Sequence, residues 1–172
     1  MTTTTAPVTS EDIIAAGRAI SLTTTVVTEW AGRGTPKQRE YLHGFLTAEH
    51  ASRTHARHSR LLKAARLPAL KSFDGYDWSA IRFPDGYGRD QLTDLEFLDH
   101  AGDLVFYGDV GTGKTHLACA LVAAACQRGI PARFHTTASL VAQLRRAKDA
   151  DRLDKELATL ARYPLLAIDE FG

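Results

Sequence analysis

The stretch Gly108-Asp109-Val110-Gly111-Thr112-Gly113-Lys114-Thr115 matches G-x-x-x-x-G-K-[ST], with the apolar residues 104–107 before it and an apolar helical pattern after it. It constrains the fold more than any other feature, because its chemistry requires a strand, a tight loop and a helix in that order. The glycines let the backbone wrap an anion with its N–H groups turned inward, in dihedrals that a Cβ obstructs. The helix that follows aims its positive end at the same anion. The spacing therefore predicts that Gly108 to Thr115 cradle the phosphates of a nucleotide, with Lys114 on the β and γ phosphates and the Thr115 hydroxyl on Mg²⁺. The competing reading is a glycine-rich turn without a ligand.

The residues around the loop predict alternating strands and helices. Residues 104–107 read as a strand, 114–128 as a helix closed by Gly129 with Pro131 beyond, and 132–136 as a second strand. Residues 139–147 and 152–161 read as helices, and 165–168, after Pro164, as a third strand. Such a βαβαβ order implies an α/β fold with a parallel sheet covered by helices. The third strand ends in Asp169-Glu170, and Asp169 follows Lys114 by 55 residues. A carboxylate at the C-terminal tip of a parallel strand lies where such sheets place their ligands, so Asp169 is expected to hold Mg²⁺ and Glu170 to orient or deprotonate an attacking water. Two acids that are merely solvated at a strand end are the bland alternative.

The N-terminal half has a different texture. Residues 1–10 are threonine-rich with little to bury and read as a disordered tail. A short helix is expected over 11–20, and Thr35-Pro36-Lys37-Gln38 is a capping box that starts a long helix or a helical pair reaching Arg66, before Leu67-Pro68. Residues 35–71 carry eight bases and two acids, while residues 72–103 carry two bases and eight acids. Within the basic run, Arg53, Arg57, Arg60 and Lys63 recur at spacings of four, three and three, which places them along one helical face suited to nucleic-acid phosphates. Contact with a partner protein and simple solvation remain open for the same face. Residues 72–103 read as a linker with one short helix near 89–98, and the aromatic stretch 73–78 is a candidate lining for an adenine pocket.

With 44% hydrophobic and 24% charged residues and a net charge of +1, the composition excludes disordered, collagenous and membrane classes. No run of about 18 apolar residues and no signal-peptide pattern occurs, so a cytoplasmic protein is expected. The only cysteines, Cys119 and Cys126, lie two helical turns apart, too far for a disulfide. The histidines at 50, 55 and 58 have no cysteine or carboxylate cluster that would make a metal site.

Several ordered motifs together resemble a known family, the IstB/DnaC-like ATPases of the AAA+ class, on the side of the IstB-type helpers of insertion-sequence transposition. They are Leu-Leu-Lys-Ala-Ala-Arg-Leu-Pro at 61–68, Ser-Phe-Asp-Gly-Tyr-Asp-Trp at 72–78, the loop octet with His116-Leu117-Ala118, Phe-His-Thr-Thr-Ala at 134–138, and Leu-Ala-Ile-Asp-Glu-Phe-Gly at 166–172. The resemblance implies a small helical N-terminal domain over 11–71, a connection over 72–103, and a P-loop NTPase core of the AAA+ type from 104 to 172, a three-layer parallel sheet incomplete at its C-terminal side. It further implies an ATP-hydrolysing homo-oligomer on double-stranded DNA that recruits or stimulates a transposase, with Lys114, Thr115, Asp169 and Glu170 as the ATP machinery. A DnaC-like loader of a replicative helicase and an inert interaction fragment are the rival readings. Against the family pattern the chain is expected to be a C-terminally shortened copy, lacking a strand that separates the loop strand from the acidic strand. Unpaired buried backbone groups cost about 1–3 kcal/mol each against a total stability of about 5–15 kcal/mol. Weak ATP binding, poor hydrolysis and aggregation are the expected consequences.

Overall fold

The computed structural model describes residues 7–170, which fall into two compact units divided between Arg57 and His58. The tail expected over 1–10 lies outside the described residues as far as residue 6. Thr9 already caps the first helix and Ser10 begins it.

In the first unit, helix α1 (Ser10–Ala19) starts at a capping box: the Asp12 amide donates to Thr9 Oγ1 at 3.2 Å and the Thr9 amide to Asp12 Oδ2 at 2.8 Å. Helix α2 (Thr24–Arg33) is not legible in the sequence, because Thr24, Thr25, Val26, Val27 and Thr28 are β-branched and poor helix formers. Tertiary packing overrides that propensity. Val27 and Ala31 are buried with Ile13, Ile20 and Leu46, and Gly17 of α1 allows the approach, since a Cβ there would lie 3.0 Å from both Val27 methyls.

Helix α3 (Pro36–Ala65) is one continuous helix rather than a pair, and its capping box forms as expected: the Thr35 amide donates to Gln38 Oε1 at 2.9 Å. It ends where Arg66 turns left-handed, φ +56°, just before Leu67-Pro68.

The second unit packs around helix α5 (Lys114–Gln127), which is apolar on most sides and buried accordingly. Its end is a Schellman motif: the amides of Gly129 and Ile130 donate to the carbonyls of Cys126 and Ala125, at 3.0 and 2.9 Å, with Gly129 at φ +76°. Residues 72–103 contribute much of the surrounding core. Leu92 of the short helix α4 (Arg89–Thr93), then Leu95 and Phe97, are buried with Leu117, Leu121 and Cys126 of α5.

Strand β1 (Ala132–Thr136) pairs in parallel with β2 (Leu165–Asp169), in register from Ala132 opposite Leu165 to Thr136 opposite Asp169. Helices α6 (Thr137–Asp149) and α7 (Leu153–Leu160) make the crossover between them. This is a mixed α/β arrangement with a small parallel sheet. The sequence expectation needs one correction: residues 104–107 do not form a strand, and the sheet among the described residues has two strands. Leu104 and Phe106 still pack onto the core, while Val105 and Tyr107 are 81% and 92% exposed. The alternation of a strand is therefore present, but among the described residues no neighbour supplies the hydrogen-bond ladder that would make it one.

Candidate functional site

The loop between residue 107 and α5 is built as its glycines require. Gly111 and Gly113 lie at φ +85° and +87°, a region open to glycine and costly for other residues. The Lys114 ammonium folds back over the loop and donates to the carbonyls of Gly108 and Asp109 at 2.7 and 2.8 Å, and Thr112 Oγ1 also donates to the Asp109 carbonyl at 2.8 Å. Val110 is fully exposed at the rim. A cationic group thus sits within a turn of backbone, placed to exchange two carbonyl partners for anionic oxygens.

The sheet brings the acidic strand tip to this loop. Asp169 closes β2, and Thr115 Oγ1 donates to Asp169 Oδ2 at 2.7 Å across 54 residues of sequence. Thr137 Oγ1 at the start of α6 donates to the Asp169 carbonyl at 3.1 Å and fixes that end of the strand. Glu170 follows, exposed and left-handed at φ +58°. A hydroxyl and a carboxylate in contact are hard oxygen donors, which suits Mg²⁺, a cation that keeps several waters and takes few protein ligands. Among the described residues no cluster of three or more His, Cys, Asp or Glu could hold a metal by itself.

Beside the loop opens a pocket of about 210 Å³, lined among others by Tyr76, Ile81, Arg82, Val105, Thr112 and Lys114. Of the aromatics over 73–78, only Tyr76 lines it. Phe73 and Trp78 do not line it; Trp78 meets Phe73 in a tilted contact and stacks on Phe83, and the Arg89 guanidinium lies 4.9 Å from the Trp78 ring. Burial pushes the Tyr76 phenol up, with Asp77 adding to the shift, so that its hydroxyl stays a donor. His116 Nε2 pairs with the Ser72 carbonyl at 2.9 Å. Ile81, Arg82 and the link from Ser72 to His116 had no signal in motif spacing, because residues 72–82 meet the loop only through the fold.

The other singled-out residues are placed as follows. Cys119 and Cys126 are buried free thiols, and burial pushes both up. His135 is buried in β1 with Nε2 unpartnered, and burial, then Arg133 and Arg66, push it down against the pull of Glu156. On α3, Arg53 bonds Glu49 Oε1 at 2.7 Å and the Ile20 carbonyl at 3.0 Å, so it is engaged within its own unit. Arg57, Arg60 and Lys63 are exposed.

The family described as IstB-like ATP binding protein matches residues 21–172. This chain belongs to that family. A relative from Geobacillus stearothermophilus, named for ATP binding in insertion sequence IS5376, is 34% identical over 144 residues, 84% of this chain and 57% of the relative. One from Pseudomonas aeruginosa, named for insertion sequence IS21, is 33% identical over 147 residues, 84% of this chain and 54% of the relative. Another, from Mycobacterium tuberculosis and also named for ATP binding in an insertion sequence, is 31% identical over 134 residues. The chain spans about half the length of these IstB-like relatives. Among the described residues no helix is long and apolar enough to cross a membrane.

Proposed function

We propose that this chain is a transposition-associated ATP-binding protein whose triphosphate site is the loop from Gly108 to Thr115. The observation that carries the reading is the meeting of Thr115 and Asp169 at 2.7 Å, beside an ammonium that already lies inside the loop. Lys114 would release the carbonyls of Gly108 and Asp109 to meet the β and γ phosphates, while amides of the loop and the first turn of α5 surround them. Thr115 and Asp169 would hold Mg²⁺, which supplies charge neutralisation at the phosphates. Glu170, next along the chain, is the base proposed to orient the attacking water, and the family names support this role only as far as ATP binding. Assembly on double-stranded DNA, recruitment of a transposase and self-association belong to the same proposal. Arg60 and Lys63, exposed on the second unit's part of α3, are the cations offered for DNA phosphates.

Calorimetric titration with ATP and Mg²⁺ tests the site. Hydrogen bonds to a charged group are worth about 1.5–3 kcal/mol, so Lys114→Ala should weaken ATP by about 10- to 150-fold. Unchanged affinity would remove the loop from the binding site. Each of Arg60→Ala and Lys63→Ala should lower the salt slope of DNA binding by about 0.9.

A further inference from the structure

The segment before α4 grips the start of α5 at two points. Tyr76 is the first: its hydroxyl donates to the Gly113 carbonyl at 3.5 Å, and its Oη and Cε2 lie 2.9 and 3.2 Å from where a Cβ on Gly113 would stand. The ring fills the space that a side chain at Gly113 would need. His116 is the second, with its ring 5.1 Å from that of Tyr76 and its Nε2 on the Ser72 carbonyl at 2.9 Å. A carbonyl can only accept, so that nitrogen carries a hydrogen. Gly113 is the residue from which the backbone swings out of the loop into the helix, and Lys114 and Thr115 follow it at once.

Behind Tyr76 the contact continues. The Trp78 ring lies 5.0 Å from the Tyr76 ring at an interplanar angle of 68°, and Trp78 Nε1 is buried without a partner. Tyr76 therefore touches both the phosphate loop and a tryptophan that has no direct part in it.

We infer that Tyr76 is a positioning residue for the triphosphate: its ring holds Gly113 in the left-handed turn that aims the loop amides and Lys114 inward, and its edge passes the state of the loop to Trp78. The inference rests on the reading of the loop as a triphosphate site. It concerns the phosphates and not the base, although Tyr76 also lines the neighbouring pocket.

The test uses the full chain carrying Trp30→Phe, which leaves Trp78 as the single tryptophan of the two. ATP and inorganic tripolyphosphate, each with Mg²⁺, are titrated by calorimetry and by Trp78 emission. Tyr76→Phe keeps the ring and should bind both ligands as the parent does. Tyr76→Ala removes the ring that holds Gly113 and should weaken both to the same extent, about tenfold, and should abolish the emission change. Tyr76→Leu retains the apolar bulk without the flat ring and reads out the same comparison if Tyr76→Ala loses its helical circular dichroism. A loss confined to ATP would make Tyr76 a contact for the nucleoside and overturn the inference. Equal binding by all variants would overturn it as well. A parent chain that takes up neither ligand would instead sink the triphosphate reading, and the inference with it.

Discussion

Gly111 and Gly113 form a matched pair in which one difference isolates one contact. Both are left-handed, at φ +85° and +87°, yet a Cβ on Gly111 would meet nothing within 4 Å, whereas one on Gly113 would meet Tyr76 Oη at 2.9 Å. An alanine forced into this region costs about 1–2 kcal/mol. The loop is exposed and held by a few hydrogen bonds from Lys114 and Thr112, so a free variant relaxes out of the strained turn and must be driven back when phosphates bind. The strain then appears in affinity, and Gly111→Ala should weaken ATP by about five- to thirtyfold. Gly113→Ala carries the same dihedral cost plus the collision with Tyr76. The colliding atom is the far end of a side chain that can yield by a few tenths of an ångström, so the extra cost is about 1 kcal/mol, a further fivefold or so. Calorimetry on both variants, with thermal unfolding as a control, reads the difference. Unfolding midpoints should stay close to wild type because the loop adds little to the core. Gly113→Ala binding ATP as well as Gly111→Ala would refute the reasoning, as would a persistent gap between them once Tyr76→Ala has removed the obstacle.

Further predictions concern the two units. His135 is 4% exposed and held below its ordinary value of 6.5, so the folded state binds fewer protons than the unfolded one. Its contribution is complete above about pH 6.5 and is lost as pH falls toward the folded value, so the unfolding midpoint should drop between pH 7 and 5. That slope should flatten in His135→Leu, and an equal slope in both proteins would show that other groups govern it. In the first unit, Gly17→Ala gains about 1 kcal/mol of helix propensity but overpacks Val27 by about 1–3 kcal/mol, a net loss that chemical denaturation should detect and that Val27→Ala in the same chain should reduce. Val105→Lys with Tyr107→Lys should raise the concentration at which light scattering reports self-association, because it charges an exposed apolar segment that has no strand partner. Scattering unchanged by the two lysines would place the sticky surface elsewhere.

Much of the candidate site was legible because its parts are local. The loop octet is contiguous, its glycines and lysine are demanded by the geometry of a single turn, and the helix after it follows from an apolar pattern closed by Gly129. The α3 capping box was legible for the same reason, since Thr35 and Gln38 are three residues apart, whereas the equally local box of Thr9 and Asp12 fell in a threonine-rich stretch read as tail. By contrast, α2 was hidden because its β-branched residues argue against a helix, and only burial of Val27 and Ala31 beside Gly17 decides otherwise. Residues 104–107 erred in the other direction. Their alternation is that of a strand, but a strand exists only when a neighbour shares its hydrogen bonds, and a local pattern carries no information about neighbours.

The sequence by itself determined the chemistry on offer: a turn of glycines, a lysine, a threonine and a pair of acids, each placed by short-range geometry. Only the tertiary structure decided which of these meet. Parallel pairing of β1 with β2 carries Asp169 across 54 residues to the hydroxyl of Thr115. Packing of residues 72–82 against α5 sets Tyr76 where Gly113 has no side chain. Both meetings depend on burial and pairing between distant segments, which no local spacing encodes.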